Sequence, residues 1–445
     1  MRGREKILLL VVFLFPLLAL SNASLWIDEA NSALKAIQPS LTSWWQLLTT
    51  EKGSDLQMPL YMFYLWVWEK IAGHSELALR LANVPWLLVG HYSLYRLCQG
   101  RGTSPLPLLA IASVNPFLWF YLNEARPYVM QYAASCLVIA GLDEMLGSVR
   151  ADKRSHGLEL VLLGILVLAS SSLLGMAWAA SALLALLFLT FHVRHRLRLR
   201  EAWWLVGIAI GLMALAAFYF WTLRYGARGS SIGQMDWRNL TYATFELFGF
   251  AGFGPGRLQI RQIGSLSFHE YLLPIGALTL VLGITLVYSL RIICDPIHRT
   301  RLIAASLYGL TAATATVVFG LVANFHLLGR HFTPLSPLIV ILVALGVARM
   351  WDSKWRIIAA ATWFLWLVSA LSVRFAARHK NDDYRGAAGV AREAMVQNKS
   401  VWWAADAAGA KYYQLPLEQP HSAINLVVNP TSAKLQQLSP PNVVI

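Results

Sequence analysis

The chain has 445 residues, of which 57% are hydrophobic and only 13% charged. A soluble domain carries roughly 25% charged residues, so much of this surface must face something other than water. The net charge of +14 does not mark a nucleic-acid binder, because the basic residues form short clusters rather than one continuous face. The 3 cysteines show neither a disulfide framework nor a metal-binding spacing.

Apolar runs of about 18–23 residues are long enough for helices to cross a bilayer. Lipid offers no partner to bare backbone, so helices are the expected form. The pattern predicts an all-α polytopic membrane protein with about eleven transmembrane helices. In chain order they cover residues 6–21, 77–97, 105–121, 127–146, 158–171, 174–192, 202–223, 270–290, 302–323, 332–348 and 357–373. The first of them also has the basic start and small-residue end of a signal peptide, but retention as an anchor is the favoured reading. Basic clusters such as Arg2-Arg4-Lys6, Arg96-Arg101, Arg150-Lys153-Arg154, Arg194–Arg200, Arg291-Arg299-Arg301 and Arg349-Lys354-Arg356 recur between the runs. Their alternation with less basic loops predicts a cytoplasmic N-terminus. Contact with anionic membrane lipids accounts for the charge, with no nucleic-acid partner.

Three segments fall outside these spans. The first outer loop, residues 22–76, has a helix-like stretch at 28–37 and a half-length aromatic helix at 59–72, which suits the membrane interface. A long outer loop at 224–267 carries Arg228, Arg238, Arg257 and Arg261 with several glycines, as a mobile cover over a site would. From residue 374 the composition turns polar, and a helix at 385–396 with strands at 401–404 and 424–428 predicts a small α/β extracytoplasmic region over 374–445. Residues 1–373 are then a multi-spanning membrane domain.

The chemistry-bearing residues lie at the outer ends of the spans. Asp28 and Glu29 follow the first helix; acids of this kind also cap the first turn of a helix. Glu124 and Arg126 sit in the tight turn Asn123–Tyr128 between the third and fourth helices. A carboxylate there can act as a general base or hold a cation, and an arginine presents a planar fork to a phosphate. A structural ion pair locking the hairpin is the alternative. Arg330 and His331 join the ninth and tenth helices.

Taken together, these residues resemble the C-type glycosyltransferase superfamily, in particular the protein O-mannosyltransferase and lipid A aminoarabinose transferase branch. The resemblance rests on Trp26-Ile27-Asp28-Glu29-Ala30, Pro59-Leu60-Tyr61, Ser75-Glu76-Leu77-Ala78-Leu79-Arg80, Glu124-Ala125-Arg126-Pro127-Tyr128, Arg330-His331-Phe332-Thr333-Pro334 and Asp383-Tyr384-Arg385-Gly386. It is strongest over residues 20–130. Gln57-Met58 stand where the family has His-Pro, and Gly329 and His331 replace the Glu and Tyr of a Glu-Arg-Tyr phrase.

The resemblance implies a bacterial inner-membrane glycosyltransferase. Its donor would be a polyprenyl-phosphate sugar, and its acceptor a protein, lipid or glycan of unspecified kind. It implies Asp28 as general base, with Glu29 and Glu124 as further catalytic carboxylates. Arg126, Arg330 and His331 would bind the donor phosphate, with Pro59, Tyr61 and Tyr128 lining the substrate. A divalent cation, Mg or Mn, held by Asp28 and Glu124 is left open. A transporter or flippase, and a non-catalytic envelope-assembly protein with the same fold, are the competing readings. A transporter generally carries ionisable residues at mid-membrane, where these spans have almost none.

Overall fold

The computed structural model describes residues 3–151, 156–192, 199–225, 235–295, 298–417, 423–426 and 430–445. It is mostly helical. The helices are α1 (Gly3–Leu14), α2 (Ile27–Ala36), α3 (Leu41–Glu51), α4 (Pro59–Ala72), α5 (Glu76–Leu81), α6 (Asn83–Gly100), α7 (Leu106–Ser113), α8 (Pro116–Leu122), α9 (Tyr128–Ala151), α10 (Gly157–Ser171) and α11 (Gly175–His192). There follow α12 (Leu199–Tyr225), α13 (Trp237–Leu247), α14 (Arg257–Ile263), α15 (Leu272–Ile293), α16 (Arg299–Val322), α17 (Ser336–Trp351), α18 (Arg356–Phe375), α19 (Tyr384–Val396), α20 (Ala407–Tyr412) and α21 (Ser432–Gln436).

Among the described residues, 7 helical segments are long and apolar enough to cross a membrane: Tyr128–Gly147, Gly175–His192, Arg200–Tyr225, Arg257–Ile293, Arg299–Val322, Gly329–Trp351 and Arg356–Phe375. The other four expected spans are shorter or broken, each for a local reason. The first ends as an α-helix at Leu14 and continues as a 3-10 turn, Phe15–Ala19, with Pro16 in its opening turn, where a proline has no N–H to give. The second divides at Ala82 into α5 and α6. In the third, the Asn115 side chain accepts from Phe117 N at 3.1 Å and Pro116 opens α8, so the chain restarts its helix in mid-run. The α10 helix is apolar but only 15 residues long.

At the centre lies α9, whose spanning segment is 83% buried. It packs against α6, α10 and the 3-10 segment Gly329–Leu335. The α9–α10 crossing is close because it is built on glycine. A Cβ on Gly141 would lie 2.5 Å from the Gly157 carbonyl, and one on Gly164 would lie 2.7 Å from the Ala134 carbonyl. Small residues at such crossings let two backbones meet where lipid provides no hydrophobic drive.

Residues 22–76, expected as the first outer loop, form α2, α4 with the bounds expected of the interfacial helix, and between them α3, which the sequence reading did not foresee. Ser40 caps α3 by accepting from Ser43 N at 3.1 Å. Within residues 224–267, α13 and α14 are helices, whereas Arg228 lies outside the described residues. So do Arg194, Arg196 and Arg198, and Lys153 and Arg154. The C-terminal region is a small α/β unit. Strands β1 (Val401–Trp403), β2 (Ile424–Asn425) and β3 (Val443–Val444) form an all-parallel sheet in the order β2-β1-β3. The second strand is shorter than expected within the described residues, since Val427 and Val428 lie outside them. The core of this unit holds Tyr384, Ala388, Trp403 and Leu415, and Ile27 of α2 packs against it.

Candidate active site

Successive residues on a helix point about 100° apart, so adjacent acids at the start of α2 have to face different surroundings. Glu29 turns inward and is fully buried. Its Oε1 accepts from Arg80 Nε at 2.9 Å and from Ala125 N at 2.8 Å, while Oε2 accepts from Arg80 Nη2 at 2.7 Å. Arg80 spends its remaining donors on the carbonyls of Ser21 (3.0 Å), Ala23 (2.7 Å) and Ser24 (3.2 Å). The pair thus ties α2, α5 and the turn after α8 together, and a desolvated fork of this kind is stable only because every donor is used.

Asp28 turns the other way. Its side chain is 25% exposed, and Oδ2 meets Arg330 Nη1 at 2.6 Å. Arg330 is itself 19% exposed and lies over the Trp26 ring at 5.8 Å. It is held in the Gly329–Leu335 segment, which packs against α9 and α13.

Arg126 is brought beside Asp28 but serves a buried network. Its Nη1 donates to Ser32 Oγ at 2.6 Å, Asp55 Oδ1 at 2.7 Å and the Asp28 carbonyl at 3.3 Å. Asp55 also accepts from Ser32 Oγ at 3.0 Å and pairs with Lys35 at 2.9 Å. Burial opposes ionisation of Asp55, but Lys35 and Arg126 outweigh it and hold the carboxyl below its usual range. Sequence reasoning missed Asp55 because it lies in a polar stretch with no motif around it; only the fold delivers two cations to it.

Glu124 is buried, and neither of its carboxylate oxygens has a hydrogen-bond partner. The turn that carries it is pinned by Asn83 Nδ2, which donates to the carbonyls of Leu122 (3.1 Å) and Glu124 (2.6 Å). Burial pushes its pKa up to about 8, with Arg257 the largest opposing influence. Arg257 Nη1 is 3.8 Å from Glu124, and its Nη2 is 3.9 Å from Glu246. The guanidinium lies over the Phe120 ring at 4.3 Å and the Trp26 ring at 5.4 Å, with 29% of the side chain exposed. Of the three loop arginines among the described residues, Arg257 is therefore the one placed at the cluster. Arg238 lies over Trp237, and Arg261 pairs with Asp382 at 3.4 Å.

Glu246, unremarked in the sequence, accepts from Gly329 N at 3.0 Å. A Cβ at residue 329 would collide with its carboxylate. The acid that the resemblance expects at 329 thus has a counterpart supplied by α13. His331 is placed differently from expectation: Nδ1 accepts from Leu328 N at 2.9 Å and the ring packs on Phe325 at 5.2 Å, so the imidazole closes its own turn. Tyr128 is buried against Tyr121 with ring centres 4.8 Å apart. Tyr61 is fully buried with an unpartnered hydroxyl, and Pro59 opens α4. Asp28 and Glu124, the pair considered for a cation, are not joined by a third ligand: no group of 3 or more His, Cys, Asp or Glu side chains placed to hold a metal occurs among the described residues.

The cluster thus sets Asp28 and Glu124 among Arg330, Arg257 and Trp26. Two partly exposed guanidinium groups beside a reachable carboxylate form a surface able to bind an anionic group and accept a proton. No protein-family model and no curated protein matches the sequence. The structure is similar to that of ArnT from Cupriavidus metallidurans in the apo state, with a TM-score of 0.52 at 13% identity, covering 94% of this chain and 86% of that chain. It is similar to the same degree, 0.52 at 13% identity, to ArnT bound to undecaprenyl phosphate, covering 95% and 86%. A mycobacterial arabinofuranosyltransferase, AftD, matches at a TM-score of 0.46 and 13% identity over 91% of this chain and 31% of that chain, too distant to carry an argument. The fold is similar to that of ArnT.

Proposed function

We propose that this chain transfers a monosaccharide from a polyprenyl-phosphate donor to an acceptor hydroxyl or phosphate at the outer face of a bacterial inner membrane. The fold supports the reaction class, and ArnT with undecaprenyl phosphate bound supports the donor class. The shorter apolar segments, α1 with its 3-10 extension, α5–α6, α7–α8 and α10, complete about eleven crossings. The basic clusters then face the cytoplasm, and the first outer loop and residues 374–445 lie outside.

The observation that carries the reading is the contact between Asp28 and Arg330 at 2.6 Å. In an inverting displacement the acceptor oxygen attacks the anomeric carbon while its proton passes to the Asp28 carboxylate. The bond from that carbon to the phosphate oxygen breaks with its electron pair, and the lipid phosphate leaves as an anion. Arg330 and Arg257 oppose the charge that develops on it. Glu124, protonated near neutral pH, holds a proton that it can donate to an oxygen of the bound substrate. Glu29 and Arg126 act on the chemistry through position, the first by fixing α2 and the second by fixing the Asp28 carbonyl.

Purified protein supplied with labelled undecaprenyl-phosphate sugars and envelope acceptors should yield a glycosylated product of inverted configuration. Translocation of the lipid across proteoliposomes with no transfer would support a flippase and overturn the proposal.

A further inference from the structure

The glycines that make residues 224–267 read as a mobile cover are concentrated at 249–256, where Gly249, Gly252, Gly254 and Gly256 lead into Arg257. Glycine loses more conformational freedom on folding than any other residue, so this stretch cannot hold Arg257 in place by its own stiffness. Its position has to be set from outside.

The end of α18 and the 3-10 turn after it, Ala377–His379, supply that hold. Gly249 takes a φ of +83° just past the end of α13, and its carbonyl accepts from Ser369 Oγ at 2.5 Å. The same hydroxyl accepts from Gly252 N at 3.2 Å. Arg378 takes the next two carbonyls: Nη2 donates to Gly252 O at 2.6 Å and Nε to Gly254 O at 3.1 Å. Nη2 also donates to Ser372 Oγ at 2.8 Å, which ties the guanidinium back to α18, and the group lies over the Tyr271 ring at 5.3 Å. A Cβ at residue 256 would collide with the Arg378 carbonyl, so α14 begins directly against the Arg378 backbone.

Each carbonyl that Arg378 takes is a charge-assisted hydrogen bond. Arg257 is the first residue of α14, and its guanidinium stands 3.8 Å from Glu124 and 3.9 Å from Glu246. Those distances exceed a hydrogen bond, so the side chain depends on its backbone for its aim.

We infer that Arg378 is a positioning residue: it clamps residues 249–256 onto α18 and so aims Arg257 at the lipid phosphate. The inference rests on the transferase reading above and names the support of one of its two phosphate-facing arginines.

The full chain in detergent, with undecaprenyl phosphate as the probe, tests this by a double-mutant cycle. Arg378→Met should weaken undecaprenyl phosphate binding about tenfold. It should also speed amide hydrogen exchange over residues 249–260, while α2 and α5 exchange as in wild type. In an Arg257→Ala background the same change should alter affinity by less than about twofold. Arg378→Lys keeps the charge but not the fork and should fall between wild type and Arg378→Met. Ser369→Ala frees the same stretch from its other anchor and carries the test if Arg378→Met does not fold. It should cost about threefold in affinity, again only when Arg257 is present. An equal loss with and without Arg257 would mean that Arg378 acts on the ligand or on the fold at large. Unchanged exchange over 249–260, or wild-type affinity in the Arg378 and Ser369 variants, would mean that no clamp has been lost. Each of these results overturns the inference and leaves the transferase reading standing. Failure of wild type to bind undecaprenyl phosphate overturns that reading, and the inference falls with it.

Discussion

The Asp28 carboxylate and the Arg330 guanidinium lie 2.6 Å apart although 302 residues separate them in the chain. Neither is free to wander. Glu29, the next residue on α2, is locked to Arg80, and Arg330 sits in a 3-10 segment packed against α9 and α13. The contact is therefore a property of the assembled fold, and each support suggests its own experiment.

Arg257 and Arg330 should matter to the donor phosphate rather than to folding, since both are partly exposed. Replacing either by Ala should lower kcat/KM for the lipid-linked donor by about a hundredfold or more, with little change in thermal midpoint. Arg257→Lys should recover only part of that activity, because an ammonium lacks the planar fork and stacks less well on Phe120. Steady-state kinetics against donor concentration measure this, and normal kcat/KM in both Ala variants would remove the two arginines from the site.

Glu29 and Arg80 should behave in the opposite way. Their side chains are 0% and 1% exposed, so Arg80→Met leaves a buried, unpaired carboxylate and should cost about 3–5 kcal/mol of stability. Removing both charges in Glu29→Leu/Arg80→Met should restore part of that loss, read as the denaturation midpoint in detergent. A double variant less stable than Arg80→Met would argue that the pair contributes more than the relief of an unpaired charge.

Glu124 gives a signed pH dependence. Its pKa rises from an ordinary 4.5 to about 8 in the fold. Between those values the folded state holds a proton that the unfolded state has released, so stability falls as pH rises across that window. Arg257, Glu29, Arg330 and Asp28 are the charged groups that bear on it, and Glu246, also raised by burial, contributes in the same direction. Glu124→Gln should flatten the slope of the thermal midpoint between pH 5 and pH 8. An unchanged slope would mean that Glu124 is ionised throughout.

The C-terminal unit should reach the chemistry through Tyr413. Its Oη accepts from Leu25 N at 2.9 Å and donates to Glu76 Oε1 at 3.1 Å, and Ile27 packs into the core of the same unit. Tyr413→Phe leaves the Leu25 N–H without that partner, a loss of about 1 kcal/mol, in the segment leading into Asp28. Transfer should slow roughly fivefold with the donor KM unchanged. A rise in KM alone would place Tyr413 on substrate instead.

Much of this arrangement was legible before the structure. The helix α4 has the expected bounds, residues 59–72, because proline opens it and glycine follows it. Asp28, Glu124, Arg126 and Arg330 could be nominated because charges at the rim of apolar helices are conspicuous. Their division of labour was not legible, since the register of α2 decides which of two adjacent acids meets Arg80. Asp55 and Glu246 lie in stretches without periodicity or motif, and only long-range packing makes them partners of Arg126 and Gly329. The broken spans were missed because hydropathy averages over Pro16 and over Asn115-Pro116, where backbone geometry divides the helix.

The central claim is that Asp28 takes the acceptor proton, and Asp28→Asn tests it most directly. The change keeps shape and size while removing the base. The account predicts that kcat falls by about a hundredfold to ten-thousandfold, with undecaprenyl phosphate affinity and thermal midpoint close to wild type. An Asp28→Asn protein that folds normally and transfers sugar at the wild-type rate would contradict it.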